Sequence, residues 1–262
     1  MTRKDLGKCE GCGTKLVEAP GIAIYCPNDN CKRSPKPITA QEIAKMNAKK
    51  IVAEFSGGAD SAAAVIIAKE KWPHSEIWPI FVDYGQVYVK QEKERAIYLS
   101  QKLNTIPIKL VKIDSLFTMK KDFTGLSGVY TPLRNMLLLS VSASYANMIG
   151  AETILTGSKG MVKVEGDPYS YYDSTVPFYK MMEAVINYCN EEKTSPISVN
   201  PILTENRTAK MLKLEVYSIL KSYGIGKNET WSCFTPTPEG LECGTCHNCK
   251  AKTLAYKKLE SE

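Results

Sequence analysis

The sequence predicts an α/β protein built on an open parallel sheet with flanking helices, and three observations carry that reading. From Lys50 onward, short apolar runs alternate with longer helical stretches, the pattern of a parallel sheet. A glycine-rich hexad, Ser56-Gly57-Gly58-Ala59-Asp60-Ser61, stands where the first of those runs meets the first helix. Eight of the nine cysteines fall into two clusters of four, one near each end. With 262 residues, 44% hydrophobic and 24% charged, the chain can bury a sizeable core, which excludes disorder as its dominant state.

The elements follow in chain order. Residues 1–37 are rich in Cys, Gly, Pro and Asn and show little apolar periodicity, so this segment needs a metal to fold. Cys9, Cys12, Cys26 and Cys31 read as a small N-terminal zinc ribbon, and 33–37 as a linker. Thr39 followed by Glu42 resembles a capping box opening a short helix towards Lys50. Strands are predicted over 51–55, 77–82, 106–113 and 153–156, and helices over 60–71, 89–103, 134–149, 176–189 and 206–223, the last ended by Gly224. The helix over 134–149 is largely apolar and is expected to be buried. The organisation is an N-terminal segment (1–37), a nucleotide-binding domain (38–225) and a C-terminal zinc-binding extension (226–262).

The net charge of +6 suits a protein that handles phosphates or other anions, and it falls short of a dedicated nucleic-acid binder. No run approaches the roughly 20 apolar residues of a bilayer crossing, and the opening residues lack the apolar stretch of a secretory signal. A cytoplasmic protein with reduced thiols is expected.

The hexad is the strongest local signal. Glycines let the backbone turn tightly and turn consecutive N–H groups on an anion, the following helix adds its positive end, and two serine hydroxyls add donors. The alternative is a plain strand-to-helix turn with Asp60 as cap. The hexad has neither the Gly-Lys-Ser/Thr ending of a Walker motif nor the spacing of a dinucleotide fingerprint. At the other end, Cys233, Cys243, Cys246 and Cys249 have spacings that suit one tetrahedral zinc. Cys189, alone in a helix, reads as a small core residue, and His74 and His247 as exposed bystanders.

The hexad resembles the S-G-G-x-D-S pyrophosphate loop of the adenine nucleotide alpha-hydrolase-like (PP-loop, Rossmann-like) ATP pyrophosphatases. Further motifs follow in order: Asp83-Tyr84-Gly85-Gln86, Thr131-Pro132-Leu133-Arg134-Asn135, Asn228-Glu229-Thr230-Trp231-Ser232-Cys233 and Cys243-Gly244-Thr245-Cys246-His247-Asn248-Cys249. Together they resemble the 7-cyano-7-deazaguanine synthases (QueC family), from about Lys50 to Tyr256. The resemblance implies conversion of 7-carboxy-7-deazaguanine with ammonia to the nitrile, using two ATP and Mg²⁺, through an acyl adenylate and an amide. It implies an ATP site at Ser56, Gly57, Gly58, Asp60, Ser61, Asp83 and Gly157, and catalytic roles for Asp60, Ser61, Asp83, Arg134 and Lys213. It implies substrate contacts from Tyr84, Gln86, Arg134, Asn135, Glu165, Asp167, Tyr171 and Asp173, structural Zn²⁺ on the C-terminal cysteines, and a homodimer.

Some positions depart from the family pattern. Val87-Tyr88 replaces Arg-His, the segment 165–175 loses a Pro, a Cys and an Arg at its end, and Lys252 replaces an Arg after the last cysteine. The N-terminal ribbon is an addition whose partner the sequence does not name. Three other readings therefore stay open: a deazapurine ligase that stops at the amide or uses another amine, a tRNA thiolase of the same superfamily, and a non-catalytic zinc protein that binds nucleic acid. The absence of cysteine between Phe55 and Cys189 speaks against sulfur transfer, and the intact hexad against loss of the ATP site.

Overall fold

A computed structural model of the chain describes residues 8, 12–14, 17–19, 22–25, 48–113, 131, 133–158, 171–190, 195–203 and 209–261. The chain forms two compact units, Met1–Ala48 and Lys49–Glu262. In the first, β1 (Val17–Ala19) and β2 (Ile22–Tyr25) form an antiparallel hairpin with Val17 opposite Tyr25. The Cys12 thiol donates to the Thr14 hydroxyl at 3.2 Å. Cys9, Cys26 and Cys31, and the helix expected after Thr39, lie outside the described residues.

The second unit is a five-stranded sheet: β3 (Lys50–Glu54), β4 (Glu76–Asp83), β5 (Lys109–Lys112), β6 (Thr153–Thr156) and β7 (Ser198–Pro201). Its order is β5-β4-β3-β6-β7 and every pairing is parallel. The helices are α1 (Ala59–Lys71), α2 (Val89–Lys102), α3 (Arg134–Ile149), α4 (Val176–Tyr188), α5 (Ala209–Ser222) and α6 (His247–Ser261). As befits a central parallel strand covered on both faces, β3 buries Ile51, Val52 and Ala53 in succession. On one face Ile51, Ala53 and Phe55 pack with α1, α2, α5 and α6; on the other, Val52, Ile80 and Ile154 pack with α3 and α4.

The chain builds outward from β3 through β4 to β5, then returns to the opposite side of β3 with β6. The order of strands therefore reverses between β3 and β6, and such a switch point leaves a crevice beyond the strands' carboxyl ends. The glycine-rich hexad leaves β3 there.

Two expectations are corrected. Helix α3 is apolar on all sides but buries only one stripe: Leu139, Ser142 and Ala146 face inward, whereas Met148 is 80% exposed. It covers the sheet from outside, and residues spaced by three and four share the buried face. Cys189 is exposed, because α4 ends at Tyr188 and the cysteine stands at its C-cap rather than on its packed face. Strand β7 and helix α6 are additions to the sequence reading, and β5 is shorter than expected.

Candidate active site at the sheet switch point

The hexad is held by close backbone approach. Gly57 has φ +75°, and a Cβ there would lie 2.5 Å from the Ala96 nitrogen and 2.6 Å from the Glu92 carbonyl of α2. Gly58 is the N-cap of α1, and the hydroxyl of Ser61 donates to its carbonyl at 3.0 Å, with the Ser56 hydroxyl 3.4 Å from that of Ser61. From the neighbouring strand, Gly157 presses on the same turn: a Cβ there would meet the Ser61 nitrogen at 2.7 Å and its Cα at 2.8 Å. The free N–H groups of the first turn of α1 thus lie at the open end of β3 and β6, which is the arrangement that binds anions.

Asp60 sits in that first turn. Its Oδ2 accepts from Lys213 Nζ of α5 at 2.6 Å, while Oδ1 is buried with no hydrogen-bond partner among the described residues. An unpartnered buried carboxylate oxygen beside an anion cradle suits a hard divalent cation, which prefers oxygen ligands.

A cavity of about 850 Å³ opens over the hexad and extends across the sheet's carboxyl edge. Beneath it lies a polar network. The Tyr84 N–H donates to Gln86 Oε1 at 3.0 Å, and Gln86 Nε2 donates to Glu92 Oε2 at 2.9 Å. Burial pushes the Glu92 carboxyl up to about 7, against the lowering effects of Gln86 and Arg134. Arg134, at the start of α3, hydrogen-bonds the Tyr84 side chain and lies close to Asp173. Asn135 Nδ2 donates to the Asp173 carbonyl at 2.8 Å, tying α3 to the turn before α4.

Glu54, at the end of β3, also lines this cavity. It accepts from the Ser142 hydroxyl at 3.4 Å and hydrogen-bonds Thr156; burial pushes its carboxyl up to about 7 in spite of both and of Arg134. Sequence reasoning passed over it. The signal was there: a carboxylate closing a strand whose three preceding residues, Ile51, Val52 and Ala53, are apolar and buried.

The C-terminal segment closes the near side. The Trp231 N–H donates to the Gly57 carbonyl at 3.0 Å, fixing the strap 230–233 to the hexad. The thiols of Cys233, Cys243, Cys246 and Cys249 all lie within 4.8 Å of one another. Four thiolates around zinc at about 2.3 Å stand roughly 3.8 Å apart, so the set fits such an ion with small adjustment. Hydroxyls of Thr235 and Thr245 and the Cys246 N–H point at the Cys243 sulfur and draw that thiol down to about 5. Behind the strap Lys252, 1% exposed, donates to the Thr230 carbonyl at 2.9 Å and to both Glu242 oxygens at 3.0 and 2.9 Å, while Glu242 Oε1 accepts from the Ser232 N–H at 2.7 Å.

The fold thus brings Ser56, Gly58, Asp60, Ser61, Tyr84, Gln86, Arg134, Asn135, Gly157, Tyr171, Asp173 and Lys213 to one cavity, with Gly57 packed behind it. Asp83 is not part of the lining; its carboxylate caps the turn by accepting from the Gly85 N–H at 3.0 Å. Glu165 and Asp167 lie outside the described residues. His74 and His247 are both exposed, and His247 also lines the cavity. Of the positions that depart from the family pattern, Val87 is 64% exposed and Thr175 caps α4 through the Phe178 N–H. Tyr88, whose ring packs 5.8 Å from that of Phe234, and Ser174 do line the cavity.

The family model described as "Queuosine biosynthesis protein QueC" matches residues 50–260. A "7-cyano-7-deazaguanine synthase" of Prochlorococcus marinus subsp. pastoris is 28% identical over 226 residues, covering 81% of this chain and 95% of that protein. Proteins of the same description from Coxiella burnetii (strain RSA 493 / Nine Mile phase I) and Nautilia profundicola are 28% and 29% identical, covering 81% and 82% of this chain and 95% and 96% of their own. Among solved structures, the U34-tRNA thiolase NcsA from Methanococcus maripaludis aligns with 97% of this chain and 81% of its own, at a TM-score of 0.42 and 13% identity. No described helix is long and apolar enough to cross a membrane. With a family model spanning most of its length, the chain belongs to the QueC family of queuosine biosynthesis proteins.

Proposed function

We propose that this protein is a carbon–nitrogen ligase that converts 7-carboxy-7-deazaguanine and ammonia to 7-cyano-7-deazaguanine with two ATP. The observation that carries the reading is the anion cradle of Ser56–Ser61, with the unpartnered Asp60 Oδ1, opening onto the cavity that also holds Arg134, Asn135 and Asp173. Family membership supports the choice of substrate.

A carboxylate is a poor electrophile, so the chemistry begins by giving it a leaving group. Its oxygen attacks the α-phosphorus of ATP, and pyrophosphate departs. In this reading the α1 N-terminal N–H groups and the Ser56 and Ser61 hydroxyls hold the departing phosphates, and Lys213 adds positive charge beside them. Asp60 Oδ1 would hold Mg²⁺, which when bound neutralises the triphosphate. Ammonia then attacks the acyl carbon, loses a proton and expels AMP, leaving the amide. The amide oxygen takes a second adenylyl group by the same displacement, and loss of both N–H protons with AMP leaves the nitrile. Each nitrile therefore costs two ATP and releases two AMP and two pyrophosphates. Cys233, Cys243, Cys246 and Cys249 would hold Zn²⁺ as a structural staple, since the strap they fix is bonded to Gly57. A cytoplasmic setting suits four reduced thiols.

The substitutions at Tyr88 and Ser174 line the cavity and favour a second reading, in which the enzyme stops at the amide. The test of the main reading is AMP release from ATP with and without 7-carboxy-7-deazaguanine. AMP formation should depend on the acid; release at an unchanged rate without it would overturn the proposal.

A further inference from the structure

Glu54 is a carboxylate that the anion chemistry of this site does not explain. It leaves the end of β3 on the face covered by α3 and α4, beside Val52 of the same strand, and lines the cavity two residues before the hexad. Its polar neighbours are hydroxyls: Ser142 at 3.4 Å, Thr156, and the nearby ring of Tyr179, which is 2% exposed. Among the described residues the cation that acts on it, Arg134, is shared with Glu92 and Asp173 and also donates to Tyr84. Two hydroxyl donors use only part of the carboxylate's acceptor capacity, about four lone-pair sites, and the residue lines the cavity.

We infer that Glu54 is a specificity-determining residue that reads the 2-amino-4-oxo-pyrimidine edge of the base, an inference that rests on the deazaguanine substrate proposed above. That edge presents a ring N–H and an exocyclic amine side by side, and a carboxylate accepts both at once in charge-assisted bonds. The raised proton affinity of Glu54 agrees with the geometry: burial costs the anion more than its hydroxyl partners return, and two N–H donors from a ligand supply the difference. A base without the exocyclic amine leaves one buried oxygen unpaired, and sites built to bond a donor reject analogues lacking it strongly.

The experiment is calorimetric binding, without ATP, of 7-carboxy-7-deazaguanine and its 2-deamino analogue to wild type and Glu54→Gln. The substitution keeps the shape and replaces one acceptor with a donor; thermal melting of the variant checks that it folds. Wild type should prefer the 2-amino compound by at least about 100-fold and Glu54→Gln by less than about 10-fold. Equal discrimination by both proteins, or no binding of the acid to wild type, overturns the inference. Mass spectrometry of the products separates this from the reaction. Nitrile formed by a wild type whose discrimination survives Glu54→Gln sinks the inference alone. Glu54-dependent discrimination without nitrile upholds the inference and sinks the reaction assignment.

Discussion

Removing one partner of the Lys252–Glu242 pair should destabilise the second unit unequally, and the inequality can be worked from burial. Lys252 is 1% exposed, and its ammonium has three acceptors: the Thr230 carbonyl and both Glu242 oxygens. Glu242 keeps 23% of its side chain exposed and also holds the Ser232 N–H. Glu242→Leu leaves a buried ammonium with a single carbonyl, which costs about 3–5 kcal/mol. Lys252→Met leaves a carboxylate that water can still reach and that keeps its N–H donor, so its cost is about 1–2 kcal/mol. Burial lowers the Lys252 pKa even with Glu242 beside it, so desolvation outweighs the attraction. Replacing both by apolar residues should therefore cost no more than about 1–2 kcal/mol, a coupling of about 3–5 kcal/mol in the cycle. Urea unfolding of wild type, both single variants and the double variant, followed by tryptophan fluorescence, measures all four. Two single losses each under about 0.5 kcal/mol would refute the reasoning and place the pair among weak surface ion pairs.

Other expectations follow from the same contacts. Asp60→Ala or Ser61→Ala should lower acid-dependent AMP formation at least tenfold, or about 1.4 kcal/mol of transition-state stabilisation, as read by a kcat/KM assay. Gly157→Ala drives a Cβ into the Ser61 backbone and should abolish measurable ATP turnover while costing about 1–3 kcal/mol of stability by urea titration. Because the folded Glu54 binds its proton more tightly, near 7 against 4.5, its contribution is fully present below pH 4.5 and is lost as pH rises through about 7. Unfolding measured from pH 4.5 to 8 should show that decline, at most about 3 kcal/mol from this group; Glu92, pushed up to about 7 as well, adds a decline of the same sign, so Glu54→Gln should reduce the slope by about half and leave the remainder. Plasma mass spectrometry should find zinc on the purified chain, and Cys249→Ala should remove one equivalent while lowering the melting temperature.

Much of the architecture is legible in the sequence because its elements are strongly periodic or sharply punctuated. The bounds of α3 and β6 coincide with the residues expected, and residues of the hexad, Gly157 and Lys213 line one cavity. Strand β7, Ser-Val-Asn-Pro, escaped because its four residues carry no apolar run, and only pairing with β6 makes it a strand. The hairpin of the first unit had a turn signal in Pro20-Gly21, but its strands are too short to show alternation. Apolarity alone overstated the burial of α3, since composition does not say on which side a helix is covered. Asp83, which the resemblance puts at the ATP site, is absent from the cavity's lining among the described residues, and its carboxylate accepts from the Gly85 N–H. Glu54 and the Lys252–Glu242 pair were missed for the converse reason: their meaning lies in contacts with α3, β6 and the strap 230–232, far away in sequence.

The central claim is that one site activates two successive oxygens, first of a carboxylate and then of an amide. It is tested most directly by mass spectrometry of the products from ATP, ammonium and 7-carboxy-7-deazaguanine, with AMP counted in the same reaction. The account predicts 7-cyano-7-deazaguanine at two AMP per nitrile, with the amide rising and falling before it. Amide that accumulates at one AMP per turnover, or a conjugate with another amine, would contradict it.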